Sequence, residues 1–106
     1  MHGKSRSGAG IATLCAPLAG DAADPHRVKV VASAGRAWWF SRAPIPFLRE
    51  PSDAAVRESL VLRHIGIYAY TRDALRRWVS LPPSALETSE RLEQLRPLAD
   101  GIAIGV

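Results

Sequence analysis

Residues 60–70 read Leu-Val-Leu-Arg-His-Ile-Gly-Ile-Tyr-Ala-Tyr, and the reading of this stretch decides the fold class. Its content of aliphatic, β-branched and aromatic residues predicts a strand over Leu60–Tyr70. Successive side chains of a strand point to opposite faces. Ile65, Ile67 and Ala69 then share one face, directed toward a core. His64, Gly66, Tyr68 and Tyr70 share the other, which presents an imidazole and two phenols around a glycine. Glycine leaves room for a ligand or a second backbone to approach. That face reads either as the polar wall of a pocket or as a half-exposed sheet surface with an incidental histidine. Alternation does not choose between them.

Downstream, Thr71 can cap a helix over Arg72–Val79, with Asp73 in the first turn, where negative charge is favoured. Pro82-Pro83 ends it. Ser84 and Glu87 have the spacing of a capping box, which predicts a second helix from Ala85 to about Leu98, stopped by Gly101. At about 100° per residue, Thr88, Leu92, Leu95 and Ala99 share one stripe of that helix. Glu93 and Gln94 lie off the stripe, either as a solvated pair or facing the same pocket as His64 and Tyr68. Ile102–Val106 is a short apolar strand.

Upstream, Val28–Ser33, a turn at Ala34-Gly35-Arg36 and the aromatic segment Ala37–Arg42 read as a β-hairpin. Alternation places Trp38 and Phe40 on one face and Trp39 on the other, which implies a covered sheet or a subunit contact, with ordinary core packing as the alternative. Pro44 and Pro46 take the chain out of the ladder. Phe47–Glu58 is a polar loop of a length often tied to function. Ile11–Leu18 reads as a further strand, and residues 1–10 as a loose tail. Residues 11–106 then make one partial domain, α/β with a mixed sheet. The apolar strands at either end need neighbours, which reads as truncation.

The 106 residues suit one small domain or part of a larger one. The net charge of +4 rests on arginines dispersed along the chain. Nucleic-acid binding would concentrate them on one face, so that class is set aside. A dispersed excess fits a solvated surface or a small anionic substrate. The single cysteine, Cys15, allows no internal disulfide and belongs to no zinc-type spacing. It reads as a small buried strand residue, in keeping with a cytoplasmic protein. The run after Lys4 and Arg6 only faintly resembles a signal peptide, because Pro17 interrupts it. No stretch is long enough to span a bilayer, so no membrane partner is expected. There is no Gly-rich phosphate loop, no G-x-S-x-G, no H-E-x-x-H and no acidic cluster suited to magnesium. Residue chemistry alone therefore shows no complete active site and no metal ligands.

An ordered set of segments adds to this. They are Val28-Lys29-Val30-Val31, then Phe40-Ser41-Arg42-Ala43-Pro44-Ile45-Pro46, then Arg63-His64-Ile65-Gly66-Ile67-Tyr68-Ala69-Tyr70. Pro82-Pro83-Ser84, Leu86-Glu87 and Arg91-Leu92-Glu93-Gln94-Leu95-Arg96 follow. Together the chain resembles part of the 3-deoxy-manno-octulosonate (Kdo) cytidylyltransferase family. The resemblance implies a Rossmann-like nucleotidyltransferase fold, of nucleotide-diphospho-sugar transferase type, with a hairpin and two C-terminal helices. It implies a homodimer that uses CTP, Kdo and magnesium, transfers CMP to Kdo for lipopolysaccharide synthesis and releases pyrophosphate. Position by position, it places Arg42, His64, Tyr68, Glu93 and Gln94 in a substrate-binding pocket for Kdo, and the hairpin in the dimer contact. The family's L-P-G-K-type nucleotide loop and its V-Q-G-D-E-P-type and G-V-D-T-type segments, which hold the magnesium aspartates, have no counterpart here. Ala85 replaces a usual proline, Ser89 an apolar residue, and the 47–58 loop is shorter. The expectation is a chain that carries the sugar side and is inactive alone. The alternatives are a non-catalytic acidic-sugar-binding or dimerisation module, or a cytidylyltransferase for another acidic sugar such as a sialic acid.

Overall fold

The computed structural model describes residues 10–18, 20, 22–50 and 60–106. Residues 1–9 of the expected tail and 51–58 of the expected loop lie outside the described residues. Strand β1, Ile11–Pro17, is the organising element. Along one edge it pairs antiparallel with β4, Leu62–Tyr70, from Ile11 opposite Tyr70 to Pro17 opposite Leu62. Along the other it pairs in parallel with the short β5, Ile104–Gly105. Strands β2, Lys29–Ser33, and β3, Arg36–Ser41, form the expected hairpin. Its two-residue loop has positive φ at Ala34 (53°) and Gly35 (75°), the backbone that matches the twist of a hairpin.

The sheet is mixed, as expected, but it is not an open Rossmann-like sheet. β2 pairs with β4, β3 pairs with β5, and the order β1-β4-β2-β3-β5 closes on itself as a barrel. The closure depends on β5, which bonds to β1 on one side and to β3 on the other. The hairpin's outer strand therefore has its edge covered, which removes an exposed pairing surface. Ile11, Val30, Ala37, Phe40 and Ile104 fill the interior, joined by Leu92, Leu95 and Ile102 from the C-terminal segment.

The β1–β4 ladder is irregular, and this overturns one expectation. Thr13 lies opposite Tyr68 and Leu14 opposite Ile65, so Gly66 and Ile67 face no residue of β1. Ile67 is 58% exposed and Ala69 is exposed, whereas His64 and Tyr68 are partly buried. The expected core face of β4 is thus its outer face. An insertion of two residues preserves alternation, so His64 and Tyr68 still share a side. The hairpin has a similar irregularity. Val31 pairs with Trp39 and Ala32 with Ala37, which leaves Trp38 unopposed. Trp38 is 52% exposed and does not join buried Phe40 as strict alternation predicts.

Helix α1, Arg72–Ser80, starts where Thr71 Oγ1 accepts the Ala74 N–H. Its buried Ala74 packs on the end of β1, where a Cβ at Gly10 would lie 2.7 Å from the Ala74 Cβ. The second expected helix is in fact two, α2 over Ala85–Glu90 and α3 over Leu95–Ala99, so three helices stand where two were expected. The break has a cause in the sequence. Proline inside one continuous helix would lose a hydrogen bond and clash with the carbonyl four residues back. Breaking the helix puts Pro97 in the first turn of α3, where its missing N–H is unneeded. The chain turns at Arg91, whose φ of 55° and ψ of 49° are left-handed.

Glu87 ties the two halves together. Its buried carboxylate accepts the Ser84 N–H, completing the capping box, and Arg96 Nε and Nη2 at 2.5 and 3.0 Å. The hydrogen bonds from Arg96 hold the Glu87 carboxyl below its ordinary value of 4.5. A carboxyl lowered in the folded state stabilises the fold above its unfolded pKa, and loses that contribution as pH falls through its folded pKa. We expect the urea midpoint to fall as pH drops from neutral to below the carboxylate range. In Glu87→Gln that fall is shallower, because this group no longer titrates. An equally steep acid limb in the variant would refute the assignment.

Candidate functional site

One cleft of ≈ 680 Å³ lies between β4 and the turn joining α2 to α3. His64, Gly66 and Tyr68 enter it from β4, and Arg91, Glu93, Gln94 and Arg96 from the turn. Trp78 on α1 closes one side, set edge-on against Tyr68 and Tyr70 with ring centroids 5.6 and 6.2 Å apart. Four of the five residues singled out in the sequence, His64, Tyr68, Glu93 and Gln94, are thereby brought together.

Each is held in a definite state. The His64 ring packs edge-on against Phe40 at 4.9 Å and Tyr68 at 5.5 Å. Its Nε2 lies 2.9 Å from Thr13 Oγ1. Burial lowers its pKa below the ordinary 6.5, so the ring is neutral at neutral pH. Burial, and then the negative charge of Glu93, push the Tyr68 phenol well above its ordinary range. Tyr68 therefore remains a protonated donor. Gln94 is buried and Glu93 exposed. A Cβ at Gly66 would meet nothing within 4 Å, so the wall is open at that point. The cleft thus offers a neutral imidazole, a phenol, an amide and a carboxylate, a set suited to several hydroxyl groups at once.

Arg42, the fifth, does not line the cleft. Its Nε donates to Glu90 O at 2.8 Å, Nη1 to Pro25 O at 3.0 Å and Nη2 to Arg91 O at 3.3 Å. The Glu90 carboxylate returns the contact by accepting the Arg42 N–H at 3.0 Å and the Ser41 hydroxyl. Behind this clasp, fully buried Lys29 donates to the carbonyls of Asp24, Arg27 and Arg42. The carbonyls of Glu90 and Arg91 belong to a helix end that would otherwise lack partners. Arg42 supplies them, and so fixes the turn that carries Glu93 and Gln94 into the cleft.

Thr13, Arg91 and Trp78 were not singled out as site residues from the sequence. Trp78 sits four positions after buried Ala74, so helical spacing could have found it. Arg91 had no such signal, because its position depends on the left-handed turn. Burial raises the Cys15 thiol above its ordinary value of 9.0, which fits an inert strand residue. Among the described residues no group of three or more His, Cys, Asp or Glu side chains could hold a metal ion. No helix of the described residues is long and apolar enough to cross a membrane. We expect Glu90→Ala to cost about 2 kcal/mol in urea unfolding, the scale of losing hydrogen bonds to a charged group. A loss no larger than that of Glu93→Ala, whose carboxylate is exposed, would count against the clasp.

A cytidylyltransferase family model matches residues 6–104. The chain is 58% identical over 98 residues to the 3-deoxy-manno-octulosonate cytidylyltransferase of Gemmatimonas aurantiaca, covering 91% of this chain and 38% of that protein. It is 49% identical over 108 residues to the protein of the same name from Xanthomonas axonopodis pv. citri, covering 95% of this chain and 42% of that one. A solved structure of CMP:2-keto-3-deoxy-manno-octonic acid synthetase complexed with CTP superposes with a TM-score of 0.82 at 41% identity, covering 96% of this chain and 41% of that one. The chain spans about two-fifths of the length of these relatives. With nearly its whole length inside the family model, the chain belongs to the cytidylyltransferase family.

Proposed function

We propose that these residues form the acidic-sugar side of a 3-deoxy-manno-octulosonate cytidylyltransferase, a cytoplasmic enzyme that supplies CMP-Kdo for lipopolysaccharide. The observation that carries this reading is the convergence of His64 and Tyr68 with Glu93 and Gln94 in one cleft, from elements far apart in sequence. In the overall reaction the anomeric hydroxyl of Kdo attacks the α-phosphorus of CTP: a new oxygen–phosphorus bond forms as the bond from the α-phosphorus to the β,γ-diphosphate breaks, and pyrophosphate and the hydroxyl proton are released. The contribution of these residues is to bind and orient the nucleophile, which lowers the entropic part of the barrier. Tyr68 and the Gln94 amide donate to sugar oxygens. His64, Glu93 and the Gln94 carbonyl accept from hydroxyls.

Arg91 lines the cleft without a carboxylate partner among the described residues, and its charge complements the acid group of the sugar. Arg42 serves from behind as a positioning residue. Magnesium would supply charge neutralisation at the phosphates. The described residues offer no cluster to hold it, so no step here runs through it. Homodimerisation through the hairpin is part of the same reading. It is supported by exposed Trp38 with the Arg36 guanidinium 5.0 Å from its ring, both residue types being enriched at interfaces.

A second reading, a sugar-binding or dimerisation module without turnover, rests on the same cleft, since its groups bind hydroxyls and none of them forms a metal cluster among the described residues. Calorimetry with Kdo, and with a sialic acid for comparison, tests the shared premise. We expect Kdo to bind, Gln94→Ala and His64→Ala each to weaken it roughly tenfold, and sialic acid to bind less well. Absence of heat from the wild type, or heat from both variants equal to that of the wild type, would sink the sugar site. Pyrophosphate release from CTP and Kdo is expected to stay at background with these 106 residues alone. Clear turnover would show that the chemistry at phosphorus resides here too.

A further inference from the structure

Thr13 is fully buried in the barrel wall, beside the two residues of β4 that nothing in β1 opposes. Its Oγ1 lies 2.8 Å from Ile67 O, 3.2 Å from Ile65 O and 2.9 Å from His64 Nε2. A threonine hydroxyl has one hydrogen to give and two lone pairs to receive with, whereas a carbonyl oxygen can only accept. The hydrogen therefore lies toward the two carbonyls, nearer Ile67. The third contact needs a hydrogen from the imidazole. If Thr13 donated to Nε2 instead, both carbonyls would face oxygen lone pairs inside a buried site, an arrangement interiors avoid.

We infer that Thr13 is a positioning residue that holds His64 in the Nε2–H tautomer, leaving Nδ1 as the lone-pair acceptor the ring offers to a ligand hydroxyl. Nδ1 has no hydrogen-bond partner among the described residues, and His64 lines the cleft. The burial that lowers the His64 pKa keeps the ring neutral, so the tautomer decides which ligand atom fits. An acceptor at Nδ1 takes a hydroxyl and repels a carboxylate. Within the acidic-sugar reading, on which the identity of the ligand rests, this puts a sugar hydroxyl at His64 and leaves the acid group to the arginine side of the cleft.

Long-range proton–nitrogen correlation spectra of the ¹⁵N-labelled 106-residue chain, at mildly alkaline pH, read the tautomer directly. We expect Nε2 to be the protonated nitrogen in the wild type and in Thr13→Ser, which keeps the hydroxyl. In Thr13→Val the Nδ1–H form should appear, and Kdo affinity should fall roughly tenfold, with Thr13→Ser close to wild type. A wild-type ring protonated on Nδ1 overturns the inference. So does a Thr13→Val ring with an unchanged tautomer, even if affinity falls, because the loss is then merely structural. If Thr13→Val does not fold, Thr13→Ala, which also lacks the hydroxyl, is read in the same way. Failure of the wild type to bind Kdo would remove the sugar reading, while the tautomer would still confirm or overturn the role of Thr13.

Discussion

The ladder between β1 and β4 has to absorb two residues that nothing opposes, and much of the site depends on how it does so. An unopposed pair leaves backbone groups without ladder partners, and those that turn toward buried Thr13 need a partner there. Thr13 meets this need from the opposite strand, with one hydroxyl among two carbonyls and an imidazole. The same two residues preserve the alternation of β4, so His64 and Tyr68 stay on one side. Gly66 between them adds no bulk to the cleft. Packing and site are thus set by one irregularity, with Phe40 holding the buried side of the His64 ring.

The other half of the cleft is set by a second local conflict. A left-handed conformation at a non-glycine residue costs roughly 1–2 kcal/mol. Arg91 adopts it because the chain must turn between α2 and α3, and two flanking interactions offset the strain. On one side Arg42 takes the carbonyls of Glu90 and Arg91. On the other, the Glu87–Arg96 pair bridges the helices across the turn. Residues Leu92 and Leu95 then reach the core, while Glu93 and Gln94 are carried to the cleft. The helix break places a polar pair at a surface that an unbroken helix would have turned elsewhere.

The sequence made part of this legible. The hairpin, the capping box at Ser84 and Glu87 and the β4 strand follow from short-range patterns, and short-range physics formed them. The shared side of His64 and Tyr68 was readable from alternation, but which side faced inward was not, because that depends on pairing with β1 far away in the chain. Pro97 carried the signal for the broken helix, which the leucine stripe across Leu92 and Leu95 obscured. Barrel closure was not legible, since it rests on a two-residue strand that bonds two partners at once. Arg42 shows the limit of carrying a role over by position. Its place is adjacent to the site, yet its guanidinium faces backbone carbonyls behind the cleft.

The states of the cleft groups define what kind of work they can do. His64 has a lowered pKa and Tyr68 a raised one, and burial is the main cause of both. Each shift moves the group away from sharing a proton near neutral pH, the opposite of what a general acid–base pair needs. The Cys15 thiol is shifted the same way, toward its neutral form. These groups are therefore tuned to hold fixed hydrogens at fixed places, and fixed donors and acceptors discriminate among hydroxyl-rich ligands far better than apolar contacts do. A cleft of preorganised donors and acceptors, with Glu93 and Arg91 as charged members, is matched to holding a hydroxyl-rich ligand, and the conformation of β4 and of the α2–α3 turn matters to it more than the reactivity of any one side chain.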